Sequence, residues 1–271
     1  MFWIGLHVKC PENLREIVLA ELSQLSFSTF EETAEGISAY CEDDEWKEEG
    51  VKNIISKYNS CSYNYEKIDK VNWNEEWEKN YDPTIIADQC IVRATFHEPT
   101  NLPYEIIITP KMSFGTGHHA TTYLVLEYQL SLDHVGKKVM DVGCGTGVLA
   151  ILAKKRGASA VLAFDIEDWC VENSKENCAL NSCNEIEVEQ KTIGSVLEYD
   201  FDIIVANITK EVHLTQMSEY SKRLNVNGDL IMSGFYENDV NDLKEAAHQQ
   251  GLEFVESKIR TDWARLVCRK Q

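Results

Sequence analysis

Four stretches of the chain combine residue types and spacings that could do chemistry. The first is Val139-Met140-Asp141-Val142-Gly143-Cys144-Gly145-Thr146-Gly147, an apolar run that ends in glycines and leads into Val148-Leu149-Ala150-Ile151-Leu152. Glycines let a backbone pass close to a ligand, and a helix opening there presents free N–H groups to it. A pyrophosphate ligand usually goes with G-x-G-x-x-G. The G-x-G-x-G spacing found here suits a ligand without phosphates, although a glycine-rich turn can also answer to sterics alone. Asp141 could accept hydrogen bonds from the loop or from a ligand ammonium, or it could anchor the turn, and both readings stand.

The second stretch is Ala160-Val161-Leu162-Ala163-Phe164-Asp165, whose carboxylate lies 22 residues beyond Gly143. A carboxylate ending a second strand can accept hydrogen bonds from both hydroxyls of a ribose. It could instead cap the following helix, but the spacing from the glycines favours the ribose. The third is Phe201-Asp202-Ile203-Ile204-Val205-Ala206-Asn207-Ile208, an apolar strand ending in an amide. Asn207 offers an acceptor oxygen to an incoming amine, or it caps the next helix; the residues alone leave both open. The fourth is Ser113-Phe114-Gly115-Thr116-Gly117-His118-His119-Ala120-Thr121-Thr122. Glycines beside histidines indicate a shaped loop. Adjacent histidines point in different directions and no third ligand stands nearby, so no metal site is expected. Thr121 or Thr122 could cap a helix over the apolar run 123–130 or touch a ligand.

The elements that position these residues follow from periodicity. From Lys138 onward strands and helices alternate. Strands are expected at 138–142, 160–165, 186–190, 201–206 and 229–234, and helices at 147–156, 170–181, 211–224 and 240–250. This predicts a mostly parallel sheet covered on both faces. Residues 254–259 and 264–268 form a terminal hairpin that places one antiparallel strand in the sheet, as methyltransferases have and most nicotinamide-binding domains lack. Upstream, 90–96 and 104–109 read as strands, with Pro99 and Pro103 in the turn between them. The first 70 residues read as β-α-β-β-α-β, a ferredoxin-like pattern. Strands are expected at 2–10, 27–30, 36–41 and 63–68. Asn13 is expected to cap a helix with Leu14, Ile17, Val18, Leu22 and Leu25 on one face, and Asp43 or Asp44 to open another carrying Trp46, Val51, Ile54 and Ile55. Trp73 and Trp77, four apart, share a face of a connecting helix. The expected division is 1–70, a linker helix at 71–83, and 84–271.

With 271 residues the chain is long enough for two domains. At 44% hydrophobic and 26% charged it has the composition of an ordinary globular protein, not of a disordered one. No apolar run approaches the roughly 20 residues of a membrane span. The start Met1-Phe2-Trp3-Ile4-Gly5-Leu6-His7 does not read as a signal peptide, so a cytoplasmic protein is expected. The nine cysteines form no C-x-x-C pair and read as reduced, packed thiols. A net charge of −19 disfavours direct nucleic-acid binding and suits a basic partner, if it does more than confer solubility. No membrane partner is expected, and a monomer is favoured.

Taken together, 114–122, 141–147, Asp165 and Val205-Ala206-Asn207-Ile208 resemble the bacterial ribosomal protein L11 methyltransferase family. Trp73-Asn74-Glu75-Glu76-Trp77 is similar to that family's linker. The resemblance covers about residues 72–271, and its specific element is the F-G-T-G-x-H-x-T-T loop. It implies an α/β, doubly wound class I methyltransferase (Rossmann-like) sheet behind a small α+β ferredoxin-like domain that grips the substrate. It further implies methyl transfer from S-adenosylmethionine to lysine side chains and the α-amine of ribosomal protein L11. By the family's pattern Thr122, Gly143, Asp165 and Asn207 contact the cofactor. Asp141, Gly145, Phe114, Gly115 and Thr116 are expected to join them from the two glycine loops. The sequence departs from the pattern at Ile208-Thr209-Lys210, where the family more often has small and apolar residues.

Methyl transfer from a sulfonium to a neutral amine needs position and desolvation more than acid catalysis. Asn207 with its neighbouring backbone carbonyl is therefore expected to orient the amine, and the loop 115–119 to close over the cofactor. The competing expectations are a nicotinamide dehydrogenase, a degenerate binding module, and a related lysine methyltransferase acting on another basic protein.

Overall fold

A computed structural model describes residues 2–69, 81–111, 113–197 and 199–271, and the chain divides into two compact units, 1–80 and 81–271. The first unit runs β1 (Phe2–Lys9), α1 (Glu12–Leu22), β2 (Thr29–Thr33), β3 (Gly36–Glu42), α2 (Glu48–Ile55) and β4 (Ser62–Asp69). Its antiparallel sheet has the order β2-β3-β1-β4, the ferredoxin-like arrangement. Strict alternation along β1 puts Leu6 and Val8 on the face that packs against Val18 and Leu22 of α1 and Val51 and Ile55 of α2. Each such side chain contributes about 1.5–3 kcal/mol on burial.

The ends of these elements differ from the periodicity reading. Pro11 precedes α1, so Asn13 lies inside the helix and caps nothing. Ile17 is half exposed and Leu25 lies beyond the helix, because the buried stripe is Val18 and Leu22. Residues 43–45 form a turn, and α2 begins only at Glu48. Trp46 therefore precedes the helix, with its ring against Phe27 and Tyr65. The second strand is shifted to Thr29–Thr33, in register with β3. The linker helix expected over 71–83, with Trp73 and Trp77, lies outside the described residues except for 81–83, which are not helical.

The second unit opens with a small sheet of β5 (Thr84–Ile86), β6 (Cys90–Ala94) and β7 (Tyr104–Ile108). β5 was too short to show in the sequence. β6 and β7 pair in parallel, so residues 95–103 form a crossover rather than the turn expected around Pro99 and Pro103. Then follow α3 (Ala120–Ser131), β8 (Lys138–Val142), α4 (Val148–Lys155), β9 (Ala160–Asp165), α5 (Asp168–Leu180), β10 (Glu187–Gln190), β11 (Phe201–Asn207), α6 (Lys210–Arg223), β12 (Leu224–Tyr236), α7 (Val240–His248), β13 (Leu252–Arg260) and β14 (Trp263–Lys270).

The seven-stranded sheet has the order β10-β9-β8-β11-β12-β14-β13. β8 to β12 are parallel, and β14 runs antiparallel to both of its neighbours. This is the doubly wound, mostly parallel sheet expected, with the terminal hairpin adding its antiparallel strand. Successive residues of each strand enter opposite cores. Val139, Val161, Ile203 and Ile231 face α3, α4 and α5. Met140, Leu162, Ile204 and Leu230 face α6 and α7. β9 lies on one side of β8 and β11 on the other, which places a crevice at the carboxyl ends of these three strands. Among the described residues no helix is long and apolar enough to cross a membrane.

Candidate functional site

The crevice is a cavity of about 430 Å³, and its lining includes Gly143, Gly145, Asp165 and Asn207, with apolar walls from Phe164 and Ile193. That size and lining suit a small-molecule site. Gly143 and Gly145 both have left-handed φ, +71° and +53°. A Cβ on Gly145 would stand 2.3 Å from the carbonyl oxygen of Phe114, so only glycine lets the loop 113–117 lie against the turn 143–147. Thr146 ties the two loops together. Its N–H donates to Phe114 O at 2.9 Å and its hydroxyl to Gly115 O at 2.6 Å.

Asp165 ends β9 and lines the cavity. One carboxylate oxygen accepts the N–H of Gly145 at 3.0 Å, the other that of Glu167 at 3.2 Å. A carboxylate has about four lone-pair sites, so two remain for a diol. The acid thus positions the glycine turn and keeps capacity for ligand. It is not the helix cap, a place taken by Glu167.

Asp141 is fully buried and lies outside the cavity lining. Its Oδ2 accepts the N–H of Ala150, in the first turn of α4, at 3.1 Å. Burial raises its carboxyl to about 7, opposed by the Ala150 hydrogen bond and reinforced by the charge of Asp165. The anchor reading of this residue is the one its contacts support.

Asn207 caps no helix, since α6 begins behind Thr209. Its amide donates to the hydroxyl of Thr122 at 3.3 Å, while its Oδ1 is shielded from water and has no partner among the described residues. Thr122 is fully buried and reaches the crevice only through Asn207. The helix cap at this point is His119, whose ring accepts the N–H of Thr121 at 3.4 Å; neither threonine caps. Of the loop residues, Phe114 lines the crevice. Gly115 meets the glycine turn through its carbonyl, and the Thr116 hydroxyl pairs with the ring of His118 at 3.1 Å, away from the cavity.

A second cavity of 220 Å³ adjoins the first, sharing Phe114, Asn207, Ile208 and Thr209 with it. His119 and Trp263 complete its aromatic walls, their rings 4.6 Å apart. The Tyr236 ring lies tilted against Trp263, their centroids 4.2 Å apart. Burial lowers the His119 pKa, disfavouring the charged ring. Among the described residues no carboxylate lines this cavity. Sequence reasoning missed Trp263, Gly234 and Thr146. The first two come from strand ends far along the chain, and only the glycine pattern around Thr146 could have drawn attention to it. Among the described residues no group of three or more His, Cys, Asp or Glu is placed to hold a metal ion.

Comparison with known proteins bears on the family and the fold. The model of the ribosomal protein L11 methyltransferase family matches residues 11–271. The chain is 40% identical over 262 residues to the ribosomal protein L11 methyltransferase of Phocaeicola vulgatus, covering 94% of this chain and 93% of that one. It is 41% identical over 263 residues to that of Porphyromonas gingivalis, covering 94% and 90%. The solved structure of a ribosomal protein L11 methylase from Lactobacillus delbrueckii subsp. bulgaricus is 28% identical with a TM-score of 0.66, over 70% of this chain and all of the other. The chain belongs to the ribosomal protein L11 methyltransferase family.

Proposed function

We propose that this protein is an S-adenosylmethionine-dependent methyltransferase that modifies amino groups of ribosomal protein L11, both lysine side chains and the α-amine. The observation that carries the reading is the shielded Oδ1 of Asn207, which has no partner among the described residues, on a residue common to the walls of the two adjoining cavities.

The larger cavity fits the cofactor. It has glycine backbone at Gly143 and Gly145, apolar walls, and in Asp165 a carboxylate with spare acceptor sites for ribose hydroxyls. When bound, S-adenosylmethionine supplies an electrophilic methyl group on a sulfonium. The protein's own task is to present a neutral amine to it. A lysine amine ordinarily titrates at about 10.4. The smaller cavity, with His119 whose charged form burial disfavours, the rings of Phe114 and Trp263 and, among the described residues, no carboxylate, disfavours the charged amine by desolvation. Asn207 Oδ1 then accepts an N–H of that amine and fixes the direction of its lone pair, while Thr122 holds the amide in place. The first unit suits a lysine-rich protein: residues 2–69 carry fourteen Asp and Glu against six Lys and Arg. We assign it to gripping the substrate, with 1–70 and 84–271 as the two functional domains and the cytoplasm as the place of action.

The test is incubation with methyl-labelled cofactor and a ribosomal extract from a strain lacking the enzyme. Label in the L11 band is expected. Label confined to another basic protein would replace the substrate, and the absence of protein label would overturn the reaction.

A further inference from the structure

Helix α5 and its C-terminal cap carry three asparagines four residues apart, Asn173 and Asn177 in the helix and Asn181 at the cap, all buried. β7 is the edge strand of its small sheet, with β6 as its single strand neighbour. On the open side of β7 the asparagines take the place of a further strand. Asn181 accepts the N–H of Ile107 at 2.9 Å and donates to its carbonyl at 2.6 Å. Asn177 accepts the N–H of Thr109 at 2.8 Å, and Asn173 donates to Thr109 O at 3.2 Å. The match is geometric: four helical residues rise about 6.0 Å and two strand residues about 6.6 Å. Side chains four apart on a helix therefore meet alternate residues of a strand.

Asn177 does more than complete this ladder. The N–H of its amide donates to the carbonyl of Thr146, in the glycine turn, at 2.9 Å. The three polar groups of Thr146 are then all engaged: N–H to Phe114 O, hydroxyl to Gly115 O, carbonyl to Asn177. Thr109 stands at the stem of the loop that carries Phe114 and Gly115. Its hydroxyl is held in addition by Glu176 at 3.0 Å, on the same helix.

We propose that Asn177 is a positioning residue for cofactor binding: one buried amide, bonded to Thr109 and to Thr146, locks the stem of the 113–119 loop to the glycine turn. The inference rests on the reading of the crevice beside that turn as the S-adenosylmethionine site. Asn177 is not among the residues lining the crevice. It acts through Thr146, and its loss is expected to loosen cofactor binding without altering the transfer step.

Replacement by aspartate separates the two bonds. Asn177→Asp keeps an acceptor for Thr109 N–H and removes the donor to Thr146. Asn181→Asp is the matched control, since it also loses a buried donor, at the cap of the same helix, but none that reaches the turn. Calorimetry with S-adenosylhomocysteine is expected to show Kd raised roughly fivefold to tenfold in Asn177→Asp, the loss of about one hydrogen bond, and within about twofold of wild type in Asn181→Asp. Both variants should show a similar fall in Tm. In turnover assays Asn177→Asp should raise KM for the cofactor and leave kcat unchanged. Equal Kd in wild type and Asn177→Asp, or equal weakening by both variants, would overturn the proposal. Should Asn177→Asp not fold, Asn177→Ala, which removes the bonds to both Thr109 and Thr146, tests the same lock, and an unchanged Kd there counts against it equally. A wild-type protein that does not bind the nucleoside at all would instead sink the underlying reading of the crevice.

Discussion

The side-chain amide of Asn207 donates to the hydroxyl of Thr122 across 3.3 Å, joining the carboxyl end of β11 to the first turn of α3. Because the nitrogen is committed there, the oxygen has a fixed direction, and that oxygen is the unpartnered one. Asn207→Ala removes both. Misplacement of a reacting group by about 1 Å can lower rate by about 10²-fold, so kcat should fall about a hundredfold while KM for the protein substrate changes little. Thr122→Val, which leaves Asn207 in place but free to turn, should lie between wild type and Asn207→Ala. Steady-state kinetics on purified L11 checks both; unchanged kcat in Asn207→Ala would remove the residue from the mechanism.

Asp165 holds Gly145 and Glu167 through one N–H each and keeps acceptor capacity on both oxygens. Hydrogen bonds to a charged group contribute about 1.5–3 kcal/mol. Asp165→Asn, which replaces one acceptor oxygen with a donor, should therefore weaken S-adenosylhomocysteine by about tenfold to a hundredfold. Calorimetry reads this directly, and full retention of affinity would exclude the carboxylate from ribose binding.

Two glycines separate backbone strain from contact. Gly136 and Gly145 both have positive φ, +72° and +53°. A Cβ on Gly136 meets nothing within 4 Å, whereas one on Gly145 meets Phe114 O at 2.3 Å. Left-handed backbone disfavours a non-glycine residue by about 1–2 kcal/mol. Gly136→Ala should show that loss of stability alone, with cofactor affinity intact. Gly145→Ala should push the 113–117 loop off the turn and weaken the cofactor by more than about tenfold. Chemical denaturation and calorimetry on the pair decide it: equal affinities would mean that the close approach has no bearing on the site.

The part of the site written in local spacing was legible in the sequence. Strands β8 and β9 fall at the residues expected, and Gly143, Gly145 and Asp165 meet in one crevice because a βα turn and the next strand's end are neighbours in any doubly wound sheet. What depends on side chains from distant segments was not legible. Trp263 reaches His119 from the terminal hairpin, and Asn177 looks like a polar residue on an ordinary helix until β7 is laid beside it. Even local signals fail where two compete. Asn13 is a good capping residue by type, but Pro11 ahead of it already supplies extended backbone before the helix, and Asn13 is drawn inside.

Asp141 gives the fold a pH dependence of known sign. Burial raises its carboxyl to about 7, while in the unfolded chain it titrates at about 3.9. Between these values the folded protein holds a proton that the unfolded chain has released, so this group's contribution to stability falls as pH rises from about 4 to 7 and is constant above. The integrated effect is on the order of 4 kcal/mol. His134 and His213 act in the opposite sense. Burial lowers each to about 4, so the unfolded chain takes up protons below about 6.5 that the fold refuses, and stability falls as pH drops through that window. The difference between Asp141→Asn and wild type cancels the histidines and isolates the carboxyl. Denaturant titrations across pH 4 to 7.5 should show the variant gaining on wild type as pH rises, since the amide still offers an oxygen to Ala150. A difference that stays flat with pH would mean that Asp141 is ionised throughout, and that the orphan Oδ1 of its carboxylate has a partner in solution.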